Sequence, residues 1–195
     1  MIELAILGLL KERTMHGYQL KKRLSETLGP FWQVSYGSLY PALKRLQKEG
    51  AVEMVFPRED VGRRKNVYRL TERGEVIFRE LLAETGNDTG GDNGFRVRLA
   101  FFRYLKPETR IGVLERRRAV LMERLVDLRG RVTSFRERAD SYTLSLMRHG
   151  MDTTEHDLQW VNDMIRAEVR ASRGQKKSGR RAARVPRRAA KEGAE

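Results

Sequence analysis

"VSYGSLYPALKRL", Val34 to Leu46, sets helical and anti-helical signals against each other. Leu39, Leu43 and Leu46 recur at the spacing of one helix face, while Lys44, Arg45 and Lys48 mark a basic one. Pro41 sits among them, although proline is the residue a helix interior tolerates least. The conflict resolves if Ser35 or a neighbour caps the helix, so that Pro41 falls just beyond the first turn. The amide that Pro41 lacks would have bonded near Gly37, whose backbone can shift to relieve the ring clash. Such a helix is built for its front end, which is slim, polar and rich in hydroxyls.

The flanking segments give that helix a setting. Ile2 to Leu10 is apolar nearly all round and reads as a buried helix. Thr14 is placed to cap a second helix that runs to Leu28, with Tyr18, Leu20 and Leu24 apolar, and Gly29-Pro30 stops it. After Gly50 the period changes. Val52, Met54 and Phe56 alternate with polar residues, "PREDVGRRK" turns, and Val67, Tyr68 and Leu70 return as a second strand. Thr71 then caps a fourth helix with Ile77 and Leu81 facing inward. Helix, helix, helix, hairpin, helix within residues 1–85 describes a winged helix-turn-helix.

In a helix-turn-helix the second of the paired helices enters the major groove, and its N-terminal residues meet base edges. Ser35, Tyr36, Gly37, Ser38, Tyr40 and Lys44 are therefore the candidate DNA contacts on the recognition helix. Tyr18 joins them from the helix before, and Arg63, Arg64 and Lys65 from the hairpin tip, for phosphates or the minor groove. Each has a plainer role open to it: Tyr18 and Tyr40 as packing aromatics, Lys44 and the basic tip as solvated charge. His16 reads as a helix-start packing residue, and Trp32 and Trp160 as core or interface.

"TGNDTGGDNG", Thr85 to Gly94, lacks any apolar residue and fails the EF-hand spacing, so residues 86–94 read as a flexible linker. "FRVRLAFFRYLKP" restarts structure as a buried helix that stops near Pro107. Ile111, Leu114, Arg118, Leu121, Leu125, Leu128, Val132, Phe135, Ala139, Tyr142 and Leu146 then alternate by three and four, a narrow seam ending at Gly150 unless the helix breaks near Gly130. Asp152-Thr153-Thr154-Glu155 resembles a capping box for a last helix striped by Leu158, Val161 and Ile165. Two stripes make a thin core, and a second copy of the chain would complete it. Leu114, Leu121, Leu125, Leu128, Leu158, Val161 and Ile165 are thus the candidate dimerisation residues. The fold class is mainly α with a small β-hairpin. An N-terminal winged helix-turn-helix is followed by a long-helix antiparallel hairpin or coiled-coil dimerisation domain over 95–171, and residues 172–195 form a disordered basic tail.

Charge agrees with an anionic partner. The formal net charge is +14 and the pI about 10.5. Ser172 to Glu195 hold nine Lys/Arg against two Glu, net +7, leaving +7 for everything before. Cysteine is absent, which removes disulfides, thiolate metal sites and cysteine nucleophiles. No run of about 18 apolar residues occurs, so the expectation is a soluble cytoplasmic protein with no membrane contact. His16, His149 and His156 fall in different elements without zincin spacing, "GQKKS" lacks the upstream glycine of a phosphate loop, and no G-x-S-x-G elbow occurs. The reading is a non-enzyme with no cofactor and no metal.

"LAILGLL", "HGYQL", "SYGSLYPALKRLQKEGAVE" and "YRLTERG" together resemble the PadR family of bacterial transcriptional regulators over residues 1–85. "FRVRLAFFRYL" and "SYTLSLMRHGM" resemble, more loosely, the α-helical C-terminal domain of the virulence-activator type. The resemblance implies a homodimer on an inverted-repeat operator in double-stranded DNA, usually as a repressor. In some members a small-molecule effector releases the DNA, a phenolic compound in the founding case. By matching positions it places His16, Gly17 and Tyr18 at the start of the second helix, Tyr36, Gly37, Ser38 and Tyr40 on the recognition helix, and Arg63, Arg64 and Lys65 on the wing. The return strand "KNVYRLT" lacks the paired tyrosines of many members, and the Arg-rich tail is outside the family pattern. The competing reading is an architectural, sequence-indifferent DNA binder using "KKSGRRAARVPRR".

Overall fold

The computed structural model describes residues 1–29, 34–55, 66–84 and 91–182. Its chain divides into two compact units, Met1–Thr109 and Arg110–Glu195.

In the first unit, helix α1 (Ile2–Leu10) is buried from Leu4 to Leu10, as its all-round apolar sequence requires. A two-residue strand β1 (Met15–His16) leads into α2 (Gly17–Leu28), then α3 (Tyr36–Lys48), β2 (Val52–Val55), β3 (Val67–Leu70) and α4 (Glu72–Ala83). The expected hairpin is the antiparallel pair β2–β3, with Met54 opposite Tyr68. β1 adds a third strand on the other side of β3, pairing Met15 with Tyr68. No sequence signal marks a strand this short, so the sheet corrects the hairpin expected. The hairpin tip, and with it Arg63, Arg64 and Lys65, lies outside the described residues, as do Phe56 and Trp32.

Two helix starts show why these segments fold as they do. Thr71 caps α4 as expected: its hydroxyl accepts from the Gly74 amide at 3.0 Å and donates to the Gly50 carbonyl at 2.7 Å. The inward face of α4 is shifted by one residue, with Phe78 and Leu82 fully buried and Ile77 and Leu81 packed at the core's margin. For α2 the cap is His16 rather than Thr14. The Gln19 amide donates to His16 Nδ1 at 3.3 Å, and the His16 amide donates to Gln19 Oε1 at 3.2 Å, a reciprocal capping box.

Helix α5 (Gly91–Ala100) begins inside the stretch expected to be linker and is followed by a single 3-10 turn, Phe102–Tyr104. It packs on α1 and α2, so the first unit's core reaches past residue 85. Phe101 is buried against Gly8, where an added Cβ would lie 2.4 Å from the ring. Phe78 meets Phe101 and Tyr104 edge-on, with centroids 6.0 and 5.6 Å apart. Lys11 bonds both oxygens of Glu75 at 2.6 Å and fixes α1 to α4.

Pro107 opens α6 (Pro107–Phe135), a position where its missing amide costs nothing. In the second unit α6 and α7 (Ser141–Ala182) run antiparallel, Arg110 pairing with Glu168 at 3.3 Å and Arg129 with Glu155 at 2.8 Å. Helix α6 ends at Phe135 rather than continuing to Gly150. The carboxylate of Asp140 accepts from the amides of Tyr142 and Thr143 and from the Thr143 hydroxyl, which starts α7 there. Thr153 and Thr154 do not begin a helix. Their hydroxyls donate back to the carbonyls of His149 and Gly150 at 2.8 and 2.7 Å, the bonds of a helix interior. Helix α7 also runs through Ala182, into the segment expected to be a disordered tail.

Candidate nucleic-acid interface

Helix α3 carries its two roles on two faces. Leu39, Ala42, Leu43 and Leu46 are buried. Arg45 pairs with Glu3 of α1, which fixes the back of the helix to the core. At Glu3 burial works to raise the carboxyl, but the Arg45 hydrogen bond and the nearby positive charges outweigh it and hold the group below its ordinary value. Lys44 points to solvent with no ion pair among the described residues.

The front end is capped within itself. The Ser38 amide donates to Ser35 Oγ at 3.2 Å, and Ser38 Oγ donates to the Ser35 carbonyl at 3.0 Å. These two bonds let the helix start without help from a bulky neighbour. Ser35, Tyr36, Gly37, Ser38 and Tyr40 are all exposed. Pro41 lies inside the helix without breaking it, one full turn past the start.

Aromatic and basic groups meet beside this tip. The rings of Tyr36 and Tyr40 are stacked, 6.1 Å between centroids and 22° apart in plane. The Lys21 ammonium of α2 sits 3.8 Å from the Tyr36 centroid. Tyr18 is 63% exposed and stands outside the core of the first unit. Tyr18, Lys21, Lys22, Ser25, Glu26 and Tyr36 line a groove of about 500 Å³ between α2 and the start of α3. Gly17 makes the Tyr40 position possible: a Cβ there would lie 2.8 Å from the Tyr40 hydroxyl. Burial and then the Tyr40 phenol push the Tyr68 hydroxyl above its ordinary value.

The structure therefore brings Tyr18, Ser35, Tyr36, Gly37, Ser38, Tyr40 and Lys44 to one element pair. Lys21 and Lys22 join them without having been singled out in the sequence. The signal was there, since both stand one helical turn beyond Tyr18, the outermost candidate of α2.

In the second unit the single chain buries Leu114, Leu121, Leu125, Val161 and Ile165, and half-buries Leu128 and Leu158. The seam is thus filled within one copy only over its first half, whereas its later members Phe135, Tyr142 and Leu146 are exposed. Off the seam, Met122 and Val126 on α6 and Trp160 on α7 are exposed as well. Arg118, the one charged residue in the three-four series, pairs with Glu115 one turn away at 2.8 Å. Among the described residues no helix is long and apolar enough to cross a membrane.

Residues 6–80 match the family model described as the transcriptional regulator PadR-like family, and residues 93–167 match virulence activator alpha C-term. The negative transcriptional regulator PadR of Bacillus subtilis (strain 168) is 32% identical over 81 residues, which is 42% of this chain. That match spans 44% of the relative's own length, less than half of it. Two solved structures of Bacillus subtilis PadR, one in complex with operator DNA and one with p-coumaric acid, are each 21% identical. They cover 85% and 86% of this chain and 98% of their own, at TM-scores of 0.41 and 0.38.

Proposed function

This chain belongs to the PadR-like family of transcriptional regulators, and from that premise we propose that it is a sequence-specific DNA-binding regulator acting as a homodimer on an inverted repeat. The observation that carries the reading is the exposed, self-capped start of α3. Its hydroxyls at Ser35, Tyr36, Ser38 and Tyr40 face outward while Leu39, Leu43 and Leu46 hold the helix on the core. A helix anchored this way can enter a major groove tip first, with Gly37 allowing close approach and the hydroxyls meeting base edges. Lys21, Lys22 and Lys44 supply the phosphate contacts that fix its register. Arg63, Arg64 and Lys65 of the wing add phosphate or minor-groove contacts on this reading.

The homodimer reading is supported by the exposed apolar residues Met122, Val126, Tyr142, Leu146 and Trp160, a larger apolar display than one chain covers on its own. Two-fold symmetry then demands half-sites about 10 bp, or a multiple, apart. The sign of regulation we propose is repression. A small-molecule effector would release DNA by binding more tightly to one spacing of the two recognition helices than to the other.

Selection of bound duplexes from a random pool tests the proposal. An enriched palindrome with that spacing is the expected outcome, and Ser38→Ala together with Tyr36→Ala should erase the enrichment. A pool that leaves selection unenriched, or an asymmetric site filled by single chains, overturns it.

A further inference from the structure

We propose that the groove between α2 and the start of α3 is a binding site for a free α-amino acid with an aromatic side chain, and that its occupant shuts the DNA-reading tip. The groove is about 500 Å³, within the range of small-molecule sites. Its walls include the rings of Tyr18 and Tyr36. The Tyr36 ring is held by Tyr40 stacked against it and by the Lys21 ammonium 3.8 Å from its centroid. A wall fixed before the ligand arrives loses little freedom on binding. Lys21 and Lys22 bring two ammonium groups to the same groove. Each has three N–H donors, and the exposed Lys22 has no ion pair among the described residues.

Glu26 decides the class of ligand. It lines the groove four residues after Lys22, yet the two do not pair. The one hydrogen bond its carboxylate accepts among the described residues comes from Arg23, at 3.2 Å. Ser25 adds a second acceptor, because its hydroxyl proton goes to the Lys21 carbonyl at 3.2 Å. A duplex backbone carries negative phosphates and no N–H or O–H, so it leaves both acceptors unmatched and meets repulsion at Glu26. The groove instead suits a molecule that holds an anion and a strong donor side by side. Tyr18, Lys22 and Glu26 stand four residues apart in succession and put ring, cation and carboxylate on one face over about 12 Å. An α-amino acid carries side chain, carboxylate and ammonium on one carbon, and laid along that face it meets each with its complement. Such an occupant engages Lys21 and Lys22 and covers Tyr36, so it displaces DNA without any change in the spacing of two recognition helices.

Binding is measured on the full chain without DNA, by isothermal titration calorimetry, and so stands or falls apart from the α3 reading; only the displacement rests on that reading. L-Phenylalanine should bind at least about tenfold more tightly than phenylpropionate, which lacks the ammonium, or phenethylamine, which lacks the carboxylate. L-Alanine, which lacks the ring, should also bind more weakly. Glu26→Gln should keep the melting temperature and reduce L-phenylalanine to the level of phenylpropionate, and Lys22→Gln should reduce it toward phenethylamine. Equal binding of L-phenylalanine and phenylpropionate, or an unchanged affinity in either variant, overturns the site. So does an absence of heat with about 10 mM L-phenylalanine. In a second arm L-phenylalanine should release the unaltered chain, but not Glu26→Gln, from the duplex enriched by selection. Occupancy of the groove without release overturns the displacement, whereas failure of the α3 reading shows as no enriched duplex at all.

Discussion

Gly74→Ala offers a stability test whose size can be worked from the structure. Gly74 is the third residue of α4, and its amide donates to the Thr71 cap. A Cβ built there lies 2.0 Å from the Ala51 carbonyl oxygen and 2.7 Å from Leu70 Cδ1. Real Cβ atoms do not approach closer than 3.0 Å, so α4 must withdraw by about 1 Å from backbone that cannot rotate away. Overpacking of this kind costs about 1 to 3 kcal/mol. The withdrawal also stretches the bonds that Thr71 makes to Gly74 and Gly50, worth about 1 kcal/mol as a cap. Alanine's better helix propensity returns at most about 1 kcal/mol. The net loss is on the order of 2 kcal/mol, a fall of roughly 10 °C in melting temperature for a unit of this size. Thermal unfolding followed by far-ultraviolet circular dichroism measures it. A melting point equal to or above that of the unaltered chain would mean that helix propensity outweighs contact, and that α4 does not sit this close to the β2 entry.

Three further outcomes follow. Gly17→Ala should displace the Tyr40 ring and weaken operator binding by roughly tenfold, about 1.4 kcal/mol, at little cost in melting temperature; unchanged binding would show that the Tyr36–Tyr40 stack is not a contact surface. At Glu75 burial works to raise the carboxyl, but hydrogen bonds from Lys11 and Arg79 hold it below its usual 4.5. Because the folded value is the lower one, this stabilisation is full above pH about 4.5 and is lost as pH falls through the folded value, so Glu75→Gln should flatten acid unfolding below that pH. Leu146→Glu with Trp160→Glu should yield folded single chains in sedimentation equilibrium, and a persisting dimer would move the interface elsewhere.

Much of this fold could be read locally. The Ser35 start, the buried Leu39–Leu43–Leu46 face and the Thr71 cap each follow from side chains a few residues apart, as does the three-four seam of α6. What escaped was either unusual or distant. An imidazole is outside the ordinary set of helix caps, so His16 lost to Thr14 on propensity alone. The start of α7 has no glycine or proline to announce it, and Asp140 does the work through three hydrogen bonds. Gly150 and the capping-box motif pointed to a break that the threonine back-bonds overrule. The docking of α5 could not be read at all, because the fit of Phe101 over Gly8 joins residues far apart in the chain. Of the interface, the hydroxyl tip was legible from composition and spacing, whereas Lys21 over Tyr36 depends on the angle between two helices.

The Gly8 notch gives the first unit a keystone supplied from downstream. A polypeptide cut where the wing's last helix ends would leave that notch open and α1 bare along one side, however complete its reading head looked. The same ring stands only a few residues before Pro107, where the long α6 begins. Between that ring and the proline, Tyr104 against Phe78 and Arg103 against Glu12 add further ties, so the stretch leading into α6 is pinned to the first unit at several points.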